Sequence, residues 1–439
     1  MKQTQWYKDT VFYQIWPRSF CDGNGDGMGD LYGVLQKLDY IKSLGCDGIW
    51  FSPLYPSPGA DCGYDISDYM DIDPQFGGME AFKAVLEGAH SRGMKVIMDL
   101  VVNHTSDEHE WFQKSRRRIE PYTDYYIWRP ARKNGKLPNN WDSHFEGKAW
   151  TYDEVRKEYY MHLFAVKQPD LNMDNPLVRE EVKKIMRFWL DMGVDGFRED
   201  VITFISKKKG LPNDHLLPVY KGIFMYNHGP RIHEFLTEFQ EDVLLNYDCM
   251  TLAEAPMVTP KIALKYIREG KGQEFSMMIQ NETMCADCFF QDFFPTKFSL
   301  KKLKKAFRNW QDKLDGKGDV VIDFSAPAAV EKALPYCEAH KLPIVVCTTG
   351  LSEELQLKVV QLSRTVPVFK SANMSMGINV LSELCKRASA ILGVNYDVEI
   401  VEQHHHNKLD APSGTALMLA DAINEQNDGA YHYVYDRSS

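Results

Sequence analysis

Three times in the first two hundred residues, an amphipathic helical stripe closes on a glycine and gives way two residues later to a short apolar run. Leu31, Val34, Leu35, Leu38, Ile41 and Leu44 share one helix face and end at Gly45, before residues 47–51. Phe82, Val85, Leu86 and Ala89 end at Gly93, before residues 95–100. Val178, Val182, Ile185, Met186 and Trp189 end at Gly193, before residues 195–198; this helix opens on Asn175-Pro176, a cap followed by a first-turn proline. A glycine just past a helix supplies the left-handed C-cap. Helical period alternating with short apolar runs is the pattern of parallel strands joined by helical crossovers. Further strand-like runs at 11–16, 250–253 and 274–279 extend it, so the first part predicts an α/β sheet wrapped by helices.

At 439 residues the chain exceeds one average domain, and a (β/α)8 barrel alone takes about 250. Residues 105–172 break the rhythm: they are rich in Trp, Tyr, Asn and charge and too long for a simple loop. They read as a small domain inserted after the third strand. Residues 301–314 form another amphipathic helix, followed by Asp315-Gly-Lys-Gly318. A new α/β rhythm then starts, with strands expected at 320–323, 344–347 and 366–369 and helices at 328–340 and 378–392. The expected domains are 1–104 with 173–317, the insert 105–172, and 318–439.

Composition narrows the partners. A hydrophobic share of 44% and a charged share of 26% suit an ordinary globular chain. A net charge of −10 without a basic stripe argues against nucleic acid. No run approaches the ~20 apolar residues of a membrane span, and the N-terminus lacks a signal-peptide pattern. Nine scattered cysteines, an odd number, read as reduced thiols of a cytoplasmic protein. Cys285 and Cys288 have no second pair, so zinc is not expected. Oligomeric state is not fixed by any of this.

In a barrel the chemistry sits at the C-terminal ends of the strands. The third strand ends in DLVVNH, with Asp99, Asn103 and His104; the fourth in GFRED, with Arg198 and Asp200; the fifth in LAEA, with Glu254. A single acid at a strand end is usually a cap or a surface ion pair. Three in register, with Arg198 and His104, point to one pocket. Glycoside hydrolysis needs such a pair: one carboxylate attacks the anomeric carbon, the other donates a proton to the leaving oxygen. Arg198, two residues before Asp200, is expected to keep that carboxylate ionised.

These stretches resemble the α-amylase superfamily of glycoside hydrolases, in its oligo-1,6-glucosidase and α-glucosidase branch, over about residues 6–317. DLVVNHTS, GVDGFREDVI and TLAEAP resemble three of the family's signatures. The resemblance implies Asp200 as nucleophile, Arg198 as its partner and Glu254 as acid/base. ADCGYDISDY resembles the family's substrate-binding turn, which implies Asp61, Tyr64 and His104 around the bound glucose. In this branch the residue after the nucleophile tracks linkage: Val201 resembles enzymes of α-1,6 bonds, and trehalose-phosphate hydrolases carry a valine there too. The substrate implied is a short oligosaccharide such as isomaltose.

Asp22, Asn24, Asp26, Met28 and Asp30 place oxygen donors at every second position, as in the first half of a calcium loop. Gly33 stands where an EF-hand needs a bidentate glutamate. The family carries this loop as a structural calcium (or magnesium) site, with Met28 giving its backbone oxygen.

The family's fourth signature, Asn-His-Asp after the seventh strand, supplies a third catalytic aspartate. After Gly318 the sequence runs VVIDFSAPAAV instead, and the seventh and eighth strands are not recognisable. An incomplete (β/α)8 TIM barrel with impaired catalysis is the expectation.

From Gly318, GDVVIDFSAPAAVEKAL, PIVVCTTGLSEE, SANMSMGIN and EIVEQHHHNKLDAPSGTAL resemble 4-hydroxy-tetrahydrodipicolinate reductase of lysine biosynthesis. The resemblance implies His404 as proton donor and Lys408 as substrate-charge partner. It places Ser413, Gly414 and Thr415 at a helix start that holds a substrate carboxylate. Thr348, Thr349 and Gly350 would border the nicotinamide of NAD(P)H, and residues 323–325 would face the cofactor cleft. No GxxGxxG-like turn precedes Val320, so the pyrophosphate has no binding loop. The second part reads as a partial Rossmann-like α/β plus α+β reductase fragment.

Three readings follow: an α-glucosidase with a foreign tail, a bifunctional enzyme with reductase activity, or an inactive chimera from a mis-joined gene. Fused domains normally meet at exposed linkers. This join falls inside both resemblances, which favours the chimera. A structural expectation also follows: the βαβ unit of residues 320–347 adds to the first sheet beside residues 274–279, bringing Asp323 near the pocket.

Overall fold

The computed structural model describes residues 4–267, 272–285, 288–289, 294–297, 299–314, 321–323, 327–348, 350–371, 376–403 and 412–435. The chain divides into two units, Met1–Lys313 and Leu314–Ser439.

In the first unit the apolar runs become the strands β1 (Phe12–Ile15), β2 (Gly48–Phe51) and β3 (Lys95–Leu100). The insert contributes β4 (Trp128–Arg129), β5 (Trp150–Asp153) and β6 (Glu158–Met161). The rhythm resumes with β7 (Gly196–Glu199), β8 (Met250–Glu254) and β9 (Met277–Ile279). The order β1-β2-β3-β7-β8-β9 is parallel throughout and follows the chain, as in an incomplete TIM barrel.

The glycine stops behave as expected: Gly45, Gly93 and Gly193 all take positive φ, where a side chain would be strained. The Asn175 side chain accepts from the Leu177 N–H at 3.0 Å and opens the helix Pro176–Met192. That helix buries Trp189, whose Nε1–H donates to the Tyr69 carbonyl at 2.8 Å. Its ring meets Tyr55 and Phe82 edge-on at 5.8 and 5.4 Å. The helices Gly78–Ser91 and Ile232–Asp242 bury Phe82, Val85, Phe235 and Phe239 in the same core.

The insert forms a separate antiparallel sheet, β4-β6-β5. Its Trp141, Trp150, Met161 and Leu163 pack against Val201 and Phe204, so the insert sits over the end of β7. The sixth run of the barrel rhythm ends differently. The expected strand 274–279 shortens because Glu274 turns to His233, 2.7 Å away, and only Met277–Ile279 pairs with β8. A short antiparallel pair follows, β10 (Cys288–Phe289) with β11 (Phe294–Pro295). The helix Leu300–Lys313 closes the unit, with Trp310 packed on Ala255, Val258 and Ala263.

In the second unit β12 (Val321–Asp323), β13 (Ile344–Val346) and β14 (Val368–Lys370) form a three-stranded parallel sheet. The helices Pro327–His340 and Glu353–Leu362 cover it through Val330, Leu334, Cys337, Leu355 and Val359. Two further helices, Met376–Leu392 and Gly414–Gln426, are joined by Lys386 and Glu425 at 3.1 Å. Leu384, Ile391 and Val401 are exposed.

The expectation that β12 extends the first sheet is not met. Among the described residues β12 pairs with β13, and β9 pairs with β8 alone. The strand finds its ladder within its own βαβ rhythm, where Val321 faces Ile344 in register.

Candidate active site

Side chains of successive residues on a strand point to opposite faces, and those of alternate residues share one. Arg198 and Asp200 therefore share one face at the end of β7, and Glu254 ends the neighbouring β8. The Arg198 guanidinium joins them. Its Nη1 donates to Asp200 Oδ1 at 2.6 Å and its Nη2 to Glu254 Oε2 at 2.5 Å. The Val201 N–H also donates to Glu254 Oε2, at 3.2 Å. Val201 holds φ +35°, strained for a β-branched residue, and this brings its amide onto the carboxylate.

A third acid completes the cluster. Asp99, at the end of β3, lies 3.3 Å from Arg198 Nη1. It accepts from Trp50 Nε1 at 3.0 Å and from the Tyr64 hydroxyl at 2.9 Å. Burial pushes the Asp99 carboxyl up to about 6, against the opposing pull of Arg198, Trp50 and Tyr64. Asp200 also rises well above the usual carboxylate range: burial outweighs the lowering by Arg198, and Glu254 and Asp99 add to the rise. Arg198 thus pulls against this rise without cancelling it. One guanidinium serves two buried carboxylates, Asp99 and Asp200, and the partly exposed Glu254.

The substrate-turn residues form a second, linked network. Gln168 Nε2 donates to Asp61 Oδ2 at 2.9 Å and lies 3.1 Å from His104 Nε2. Asn103 Nδ2 lies 3.2 Å from His104 Nδ1, and Asn103 Oδ1 accepts from Lys207 Nζ at 2.8 Å. Lys207 also pairs with the buried Asp170 at 2.7 Å. Burial holds the His104 ring down at about 4, so it is neutral, and raises the Asp61 carboxyl. Phe164 lies tilted against His104 with centroids 5.1 Å apart, and the exposed Phe145 meets Phe164 edge-on at 5.5 Å.

The structure therefore brings Arg198, Asp200, Val201 and Glu254 into one cluster, linked through Asp99 to Tyr64, and joins Asp61 to His104 through Gln168. Asp99 was visible at its strand end but had no assigned role. Gln168, Phe164 and Lys207 were missed, because the insert has no periodicity that would aim a side chain. The compact Gln168-Pro169-Asp170 run at the insert's return was the available signal.

The oxygen-rich loop is built from the same donors but uses them locally. Asp22 accepts from the amides of Gly25 and Gly27 at 2.6 and 2.8 Å. Asp26 accepts from the Met28 amide at 2.8 Å. Asp30 is buried and caps the helix Leu31–Gln36 through the Gly33 amide at 2.7 Å, so it is committed to the fold. Asp22, Asn24 and Asp26 remain exposed with hard oxygen donors on alternate residues, a set that fits calcium or magnesium. Elsewhere Glu180, Glu238 and Asp242 also gather, but around Lys183, whose Nζ lies 3.0 Å from Glu238 and 2.8 Å from Asp242.

In the second unit, Ser413 caps the helix Gly414–Gln426 through the Ala416 amide at 3.1 Å. The position expected for a substrate carboxylate is taken by Glu402, which accepts from the Ser413 amide at 2.7 Å and its hydroxyl at 2.5 Å. Thr415 lies in the first turn. The Thr348 hydroxyl donates to Asp323 at 2.5 Å, and Gly350 turns with φ +70°. His404, Lys408 and Thr349 lie outside the described residues.

The family model for the alpha amylase catalytic domain matches residues 14–323, and that for the dihydrodipicolinate reductase C-terminus matches residues 377–437. An oligo-1,6-glucosidase of Parageobacillus thermoglucosidasius is 54% identical over 318 residues, 71% of this chain and 56% of its own length. A trehalose-6-phosphate hydrolase of Bacillus subtilis (strain 168) is 44% identical over 312 residues, covering 71% of this chain and 55% of that protein. The trehalulose synthase MutB from Pseudomonas mesoacidophila MX-45 superposes with a TM-score of 0.66 at 39% identity, covering 72% of this chain and 57% of that one. The chain spans a little over half the length of the curated relatives it matches.

Proposed function

The chain belongs to the α-amylase family of glycoside hydrolases, and from that premise we propose that its first unit carries a retaining α-glucosidase-type site for short α-glucosides. The observation that carries this reading is the Arg198 guanidinium, which holds Asp200 at 2.6 Å and Glu254 at 2.5 Å on the ends of adjacent strands. Retaining enzymes need two carboxyl groups only ~5–5.5 Å apart, one on each face of the scissile bond. Asp200 attacks the anomeric carbon and Glu254 protonates the leaving oxygen. Glu254 then takes a proton from water, which releases glucose from Asp200. Asp61, Tyr64 and His104 bind the glucose hydroxyls, with Gln168 orienting the first and last of them.

The preferred bond is α-1,6, as in isomaltose. Val201 narrows the space beside the nucleophile, and the oligo-1,6-glucosidase relative supports this reading. The trehalose-6-phosphate hydrolase relative supports a second substrate, trehalose phosphate. No Asn-His-Asp follows β9 in the sequence. Without that third aspartate, turnover is weak. Calcium or magnesium would be held by Asp22, Asn24, Asp26 and the Met28 carbonyl, and would stiffen the loop before the helix Leu31–Gln36.

The second unit carries reductase ancestry without reductase turnover: Glu402 fills the carboxylate position, and no GxxGxxG-like turn precedes β12 to hold NAD(P)H. The chain is a chimera of the two ancestries. Nine free cysteines suit the cytoplasm, and among the described residues no helix is long and apolar enough to cross a membrane.

Glucose release from isomaltose, maltose and trehalose 6-phosphate tests the assignment. Slow release from isomaltose, abolished by Asp200→Asn and by Glu254→Gln, is expected. Release that survives both substitutions removes the reading. Oxidation of NADPH with a dihydrodipicolinate-type substrate would restore the reductase alternative.

A further inference from the structure

The strand that carries Arg198 and Asp200 also carries an acid on its other face. Glu199 is 1% exposed, and neither of its carboxylate oxygens has a hydrogen-bond partner among the described residues. Phe197, two residues earlier on the same face, is part of the main apolar core. In register beside Glu199 stand Leu100 on β3 and Ala253 on β8, both fully buried. A carboxyl group surrounded in this way is tolerated only while neutral, since a buried unpaired charge is far costlier than a buried hydroxyl.

We propose that Glu199 is a proton-held latch beneath the catalytic cluster: protonated, it lets β7 stay packed, and ionised, it loosens the strand that positions Arg198 and Asp200. Among the described residues no cation forms an ion pair with it. Leu100 and Ala253 are uncharged, and the titratable group that registers its charge is the Cys249 thiol, just before β8. Burial first, then Glu199, push that thiol up to about 12, so it stays neutral and offers no counter-charge. On the far face of β7 the charges of Arg198, Asp99, Asp200 and Glu254 are engaged with one another.

The direction of the effect follows from linkage. Burial pushes the Glu199 carboxyl up to about 8, against an ordinary glutamate near ~4.3. The folded state therefore binds this proton more tightly than the unfolded state. Its stabilising effect is full below the unfolded value, declines as pH rises, and is lost once pH passes the folded value. Above that point the folded chain carries a buried charge.

Glu199→Gln removes the titration and keeps the shape; Glu199→Met removes the polar group as well. Melting temperatures of the parent and both variants are compared from pH 5 to pH 9, so that every other titrating group cancels in the difference. The expected result is a variant-minus-parent difference that grows by several degrees up to pH 8 and then levels off. Amide exchange of the segment 196–200 is expected to rise in the parent, relative to the variants, above pH 8. A flat difference for either folded variant, or equal exchange at all pH values, overturns the proposal. Both readouts are independent of glucosidase turnover.

Discussion

Glu254 Oε2 lies 2.5 Å from Arg198 Nη2, so the acid/base candidate on β8 and the nucleophile candidate on β7 share one cation. In the proposed mechanism this links the two halves of a double displacement, and it also makes the cluster depend on a single side chain.

Replacing Arg198 with Met leaves Asp99, Asp200 and Glu254 facing one another without a positive charge. Removing one partner of a buried ion pair costs roughly 3–5 kcal/mol. Urea unfolding at pH 7 is expected to show a loss of that order, and a smaller one at pH 5, where the Asp99 carboxyl takes up a proton. An equal loss at both values would mean that packing, not charge, holds Arg198.

Asp99 sets a pH limit on this cluster. Its carboxyl is pushed up to about 6 by burial, so the folded state holds the proton more tightly than the unfolded state, whose aspartate titrates near ~3.9. The stability this contributes is full below the unfolded value and is lost as pH rises through about 6. The melting temperature of Asp99→Asn relative to the parent is expected to climb between pH 4 and pH 6 and to level off above. Thermal scans across that window check it.

The barrel part of the fold was legible because its signals are local. Gly45, Gly93 and Gly193 stop helices, and the strands after the last two stops, β3 and β7, lead into the candidate site residues Asp99, Arg198 and Asp200. Asp200 and Glu254 were readable as a pair because strand ends of one sheet converge. Gln168 and Lys207 were not, since both act from irregular segments whose direction is set by tertiary packing against His104 and Asp170. The expected partner of β12 was misjudged for a related reason: a three-residue strand carries no code for which edge it joins, and the nearest βαβ neighbour won. Glu199 was passed over because its neighbours in sequence, Arg198 and Asp200, drew attention to the other face of the strand.

Gln168 holds Asp61 and touches His104. A hydrogen bond to a charged group is worth about 1.5–3 kcal/mol. Gln168→Leu, in an Asp200→Asn background that prevents turnover, is expected to weaken isomaltose binding roughly tenfold to a hundredfold by calorimetry. Unchanged affinity would place the glucose elsewhere.

Calcium should raise the melting temperature of the parent and leave an Asp22→Ala, Asp26→Ala double variant unmoved. A ligand at a hundred times its Kd stabilises by about 2.7 kcal/mol, enough for a shift of a few degrees. Chelator should reverse the shift. A rise of the same size in the double variant would assign the ion to another site.

The central claim is that Asp200 is the nucleophile of a retaining glucosidase site, and covalent trapping tests it most directly. The chain is incubated with 5-fluoro-α-glucosyl fluoride, digested, and its peptides are weighed, with the Parageobacillus thermoglucosidasius oligo-1,6-glucosidase treated in parallel. The account predicts slow addition of one fluoroglucosyl group to the peptide that contains Asp200, absent in Asp200→Asn. No adduct on this chain while the relative is labelled, or an adduct on any other residue, would contradict it.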